Sequence, residues 1–157
     1  MGTLHFEGEA TIAARPEIVW DILSDYRDGH PRILPEEMTD LIVEEGGRGE
    51  GTLVRFNFHL SGLTRQIHAR VHTPEPGRIL VEENLNAQGV TTFTLTPLEE
   101  GQRTHVRIMT ETPEEPGLAG LIGRAFAPMV TRRMRAIYLK ELANLDALAQ
   151  TWVPQQS

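Results

Sequence analysis

The spacing of hydrophobic and polar positions changes twice along the chain, and each change marks a different kind of element. Residues 3–13 alternate loosely, with Leu4, Phe6, Ala10 and Ile12 apolar, and predict a strand. RPEIVWDILSDY (15–26) then switches to helical spacing, with Ile18, Val19, Ile22 and Leu23 as its stripe. Pro16 suits the first turn of that helix, where its missing N–H costs nothing, and Glu17 complements the helix dipole. RDGHPRILPEE (27–37) is broken by Gly29, Pro31 and Pro35, so at most a second short helix fits there. From 38 to 111 the period is two. Strands are expected at 38–45, 51–60, 63–73, 78–85, 90–96 and 103–111, separated by the turn signals EGGRGEG, SG, TPEPG, NAQG and PLEEGQ. Short connections make an antiparallel meander the simplest topology. Residues 116–150 return to helical spacing, with Ile122, Phe126, Val130, Met134, Ile137 or Tyr138, Leu142 and Leu145 forming a broad stripe. Pro128 lies inside it and either kinks one helix or divides two.

The stripe needs a partner, and the inner face of the sheet is the one available. The expected fold class is therefore α+β: a curved antiparallel sheet of about seven strands around a long carboxy-terminal helix, with two short helices between the first and second strands. Such a wrap leaves a cavity where side chains do not fill it. One domain over 1–152 is expected, with a frayed tail at 153–157.

The hairpin FNFHLSGLTRQIHARVH (56–72) sets the inner face. A two-residue turn at Ser61-Gly62 pairs Leu60 with Leu63, Phe58 with Arg65, Phe56 with Ile67 and Val54 with Ala69. Directly opposed residues share a face, so these line the inside, while His59, His68 and His72 fall outside. His68 and His72, four residues apart on a strand, are about 13 Å apart, too far to share a zinc whose bonds to nitrogen are about 2.1 Å. No metal is expected. Arg65 is the one charge on the apolar face, where it needs a partner or must reach the mouth. Reading Ile79 and Val81 as inward, with pairing through the PEPG turn, places Glu83 inward near Ile67 and Arg65, as a polar patch. A slip of one residue would expose Glu83. Further inner positions are Phe93, Leu95, Val106 and Ile108, with Thr91 and Thr110 as polar points. Ile122, Phe126, Met129, Val130, Met134, Ile137 and Tyr138 are candidates for the wall from the helix.

Composition narrows the classes. A net charge of −7 disfavours nucleic acid and an anionic membrane surface. The absence of cysteine excludes a thiolate metal site, a disulfide framework and a cysteine nucleophile. No apolar run approaches the roughly 20 residues needed to cross a bilayer. MGTLHFEGEAT has no secretory character, so a cytoplasmic protein is expected. No nucleophile elbow, zinc-protease motif or phosphate loop occurs, and no cofactor is expected. GRGEG joins two strands and is a turn. A monomer or a homodimer fits equally.

Five segments resemble the START-like or Bet v 1-like superfamily and, within it, the bacterial polyketide cyclase/dehydrase and lipid-transport group. They are ATIAARPEIVWDILSDY (10–26), GRGEGTLVRF (47–56), PEPGRIL (74–80), TTFTLTPLEEGQRTHVRI (91–108) and YLKELANLDALAQ (138–150). The resemblance implies the helix-grip fold and an internal cavity, and puts Tyr26 and His30 near its entrance. His30 either acts as an acid or base or is a loop residue. Three functions remain open: binding or transport of a hydrophobic molecule such as a lipid, polyketide or isoprenoid quinone; a cyclase or dehydratase using Arg65, Tyr26 or His30; and a ligand-free interaction module of the co-chaperone type. Fold alone does not choose among them.

Overall fold

In the computed structural model, which describes residues 2–114 and 117–154, the chain runs β1 (Thr3–Ile12), α1 (Pro16–Ser24), a 3-10 turn (His30–Ile33), β2 (Met38–Glu45), β3 (Leu53–Leu60), β4 (Leu63–Glu75), β5 (Ile79–Asn84), β6 (Val90–Leu98), β7 (Arg103–Pro113) and α2 (Gly117–Ala149). A second 3-10 turn, Glu99–Gly101, links β6 to β7. The seven strands form one antiparallel sheet in the order β1-β7-β6-β5-β4-β3-β2. This is the α+β arrangement expected from the periodicity and the helix-grip fold that the resemblance implies. Of the expected tail, residues 155–157 lie outside the described residues.

Pro16 opens α1 as expected, and Val19, Ile22 and Leu23 are buried. Each such side chain removed from water contributes about 1.5–3 kcal/mol. Asp25 closes the helix. Its Oδ1 accepts hydrogen bonds from the amides of Arg27 and Asp28, both at 3.1 Å, and the amide of His30 reaches the Asp25 carbonyl at 2.7 Å. Tyr26 N–H donates to the Gly47 carbonyl at 2.8 Å, so the glycine-rich turn between β2 and β3 docks on the end of α1. These bonds aim Tyr26 and His30 at the sheet.

The second half of α2 is held along its length. Lys140 meets Glu37 at 2.8 Å, Asn144 donates to the Ile33 carbonyl at 3.0 Å, and Asp146 accepts from Ala13 N–H at 2.8 Å. Beyond the helix, Trp152 Nε1 donates to Asp21 at 2.7 Å. β1 approaches α2 closely because Gly8 has no side chain: a Cβ there would lie 2.9 Å from that of Tyr138. Pro128 sits within one continuous helix. Among the described residues the first side-chain tie along α2 is Arg133 Nη1 to Ser61 Oγ at 3.0 Å. The expected apolar stripe is covered only in the later part of the helix. Ile122, Phe126 and Met129 stand exposed.

The β3–β4 register is the expected one, with Leu60 opposite Leu63, Phe58 opposite Arg65, Phe56 opposite Ile67 and Val54 opposite Ala69. Ser61 and Gly62 both take positive φ, 52° and 81°, as a tight hairpin turn requires. β4 and β5 differ from expectation. A register shift between His72 and Glu75 moves the pairing by one residue, so Glu83 lies opposite Arg70 and Glu82 opposite Val71. Leu80, fully buried, faces inward with Glu82 and Asn84. Glu83 is on the outer face, where it meets His72 Nε2 at 3.0 Å. The expected Arg65–Glu83 patch does not form.

Candidate functional site

A cavity of about 550 Å³ lies between the sheet and α2. Its wall is apolar along Met38, Leu41, Phe56, Phe58, Leu60, Ile67, Ala69 and Phe93 on the sheet side and Val130 and Met134 on the helix side. One end opens beside the β3–β4 hairpin, where Leu63, Thr64 and Arg65 border it. Away from the hairpin the lining turns polar, with His30, Glu82, Thr91, Thr110, Tyr138 and Glu141 at the far end and Asn84, Gln88 and Thr112 beside the β5–β6 turn. Arg65 and Glu82 are separated by six residue positions along β4, Glu82 lying opposite Val71, which corresponds to about 20 Å. The cavity is therefore long, with a cationic mouth and an acidic floor.

The floor is built by three elements. His30 is 2% exposed and stacks on Tyr26, ring centroids 4.3 Å apart, with its edge toward Phe93 at 5.7 Å. Its Nδ1 is 2.7 Å from the Leu23 carbonyl. A carbonyl only accepts, so Nδ1 carries the proton, and Nε2 is the ring nitrogen turned toward the carboxyls. Nε2 lies 3.8 Å from both Glu82 Oε2 and Glu141 Oε1. Tyr26 donates its hydroxyl proton to Glu82 Oε2 at 2.6 Å. Above this group Thr110 Oγ1 contacts the Tyr138 hydroxyl and lies 2.7 Å from Thr91 Oγ1.

Burial shapes the acidities. Glu141 is pushed well above the ordinary carboxylate range, first by desolvation and then by the neighbouring Glu82. Tyr26 and Tyr138 are raised as well, mainly by desolvation, so both hydroxyls stay protonated donors. Glu141 thus holds its proton more tightly than an ordinary carboxyl, and it does so beside Glu82 and His30.

The expected site residues divide by position. Phe56, Phe58, Ile67, Ala69, Phe93, Val130, Met134, His30 and Arg65 border the cavity. Tyr26 sits behind the floor, buried and joined to it through Glu82 and His30. Val54, Val106 and Ile108 are fully buried in the core and do not reach the cavity, because neighbouring side chains pack over them. Phe126 is 54% exposed and off the cavity wall, since this part of α2 is not covered by the sheet. Glu83 is on the wrong face, as described. Arg65 is exposed at the rim. The two floor carboxyls were not read from the sequence. Glu141 carried a signal, since it continues the Met134, Ile137, Tyr138 and Leu145 stripe as a charge on the covered face. Two of the outer histidines meet carboxylates on the outer face, His68 with Glu44 at 2.7 Å and His72 with Glu83. Among the described residues no cluster of ligating side chains fits a metal ion.

The fold and this buried end enclose a cavity between sheet and helix that is apolar along its length and polar at one end. Residues 3–150 match the family described as polyketide cyclase / dehydrase and lipid transport, and the chain belongs to it. The structure is similar to the KanY protein, at 26% identity and a TM-score of 0.79, over 96% of this chain and 99% of that one. It is similar to the Zhui aromatase/cyclase from Streptomyces sp. R1128, at 20% identity and a TM-score of 0.71, over 95% and 94%. A START superfamily protein from Mycobacterium smegmatis matches at 18% identity and a TM-score of 0.69, over 96% and 99%. Among curated proteins none matches in sequence. No helix among the described residues is long and apolar enough to cross a membrane.

Proposed function

We propose that the protein binds an elongated, largely apolar small molecule in this cavity, with one oxygen-bearing head at the acidic floor. The observation that supports the reading is a cavity of about 550 Å³ whose apolar wall leads to a cluster of polar groups in which His30, Glu82 and Glu141 converge. Sites of this size and lining take small ligands, and a few polar groups fix the orientation. The 3.8 Å gaps between His30 Nε2 and the two carboxyls are too long for direct hydrogen bonds and suit a bridging ligand oxygen. Protonated Glu141 donates to a carbonyl or hydroxyl there. An interaction module with a filled core does not account for the cavity.

The test is native mass spectrometry of protein from its own host, with identification of the co-purified ligand, followed by titration with 8-anilinonaphthalene-1-sulfonate. Phe56→Glu, which puts a charge in the apolar wall, is expected to abolish binding, while His68→Ala on the outer face leaves it unchanged. Equal loss in both variants overturns the assignment.

A second reading, proton-transfer catalysis of the cyclase or dehydratase kind, is favoured by the same floor. Convergent groups of displaced acidity are what such chemistry needs. Glu141 protonates a ketone oxygen while His30 Nε2 removes the adjacent C–H proton, giving the enol. With a ketone ligand in heavy water, the catalytic reading expects exchange at the α-carbon that Glu141→Gln slows by about a hundredfold. No exchange above the buffer rate leaves a binding protein.

A further inference from the structure

The first half of α2 carries an apolar face that nothing among the described residues covers. Leu121, Ile122, Phe126 and Met129 are 58%, 52%, 54% and 44% exposed. At about 100° per residue they fall within an arc of about 140° on one side of the helix. The covered stripe, Met134, Ile137, Tyr138, Glu141 and Leu145, is centred about 140° away. The patch is therefore not a continuation of the core face. Arg132 and Arg133 lie on the arc of the patch a turn further on. Arg133 reaches Ser61, which brings the hairpin tip alongside, and there Leu63 is 77% exposed and Arg65 is exposed too.

The charge of this region opposes that of the molecule. The chain has a net charge of −7, yet residues 117–140 hold Arg124, Arg132, Arg133, Arg135 and Lys140 and no acid. Glu114 and Glu115 precede the helix. Large apolar side chains on one exposed helix face, followed by arginines, are the pattern of a helix lying in a bilayer interface. We infer that this surface docks the protein on an anionic lipid bilayer, with Leu121, Ile122, Phe126 and Met129 entering the headgroup boundary and Arg132, Arg133 and Arg65 over the phosphates. The helix lies on the bilayer and does not cross it. The surface adjoins the cavity mouth, which is where an apolar cargo would leave. It rests on the cavity reading only for that purpose.

The experiment is flotation of the purified protein with phosphatidylcholine vesicles, with and without phosphatidylserine, at low and high salt. Binding is expected with phosphatidylserine at low salt. It should fall about tenfold or more on adding salt, in Arg132→Glu and in Phe126→Ser. Phe126→Trp should show blue-shifted emission on the vesicles. Both positions are exposed and off the cavity wall, so probe binding by the variants should match the wild type. No flotation, equal flotation with phosphatidylcholine alone, or indifference to both substitutions overturns the proposal. So does a wild type that ignores vesicles but binds polyglutamate, or one that dimerises through Phe126. Flotation with no probe binding would overturn the cavity reading alone.

Discussion

At the scale of single residues the floor of the cavity is the informative place. Glu141 is raised above the ordinary carboxylate range, so the folded state holds its proton at pH values where the unfolded chain has released it. The native state then binds more protons than the unfolded state in that window. Stability consequently falls as pH rises above the usual carboxylate value, by up to about 1.4 kcal/mol per pH unit, until the folded-state value is passed. Glu141→Gln is neutral at every pH. It should flatten the slope and stabilise the protein at neutral pH, measured by denaturant midpoints across pH 4–8. An unchanged slope would mean that Glu141 is charged in the fold. Tyr26→Phe removes the hydroxyl donor from Glu82 and should cost about 1.5–3 kcal/mol, read from the same midpoints.

Elements show which parts of this structure were legible. The β3–β4 hairpin was readable because two independent signals agree: Ser61-Gly62 fixes the register, and that register sorts apolar from polar side chains. β5 was not. ILVEEN offers two adjacent acids, and the bulge between His72 and Glu75 changes which one points inward without leaving a mark in the composition. Leu80 opposite Phe93 was the clue, since an inward Phe93 requires an inward Leu80 and hence Glu82. The α2 stripe was legible as helix throughout, but periodicity reports an apolar face and not what covers it. Ile122, Phe126 and Met129 look like core positions for that reason. Two glycines separate shape from conformation. Gly8→Ala meets Tyr138 at 2.9 Å and should cost about 1–3 kcal/mol through overpacking. Gly62→Ala meets nothing within 4 Å and should cost about 1 kcal/mol, through its φ of 81° alone. Urea midpoints of the two variants test the ranking.

For the molecule as a whole, a guest in the cavity adds to folding stability by mass action. A ligand at about 100 times its dissociation constant should raise unfolding free energy by about 2.7 kcal/mol, visible as a higher Tm. Phe56→Glu should lose the shift and His68→Ala should keep it. A chain that leaves about 550 Å³ of interior for a guest gives up packing that a filled core would supply. On the proposed function its survival then depends on supply. The unloaded form opens more often and is exposed to proteolysis, while the loaded form persists. The amount of protein in the cell would track the amount of cargo, with no dedicated sensor and no change in synthesis: the empty space in the core would itself be the regulator.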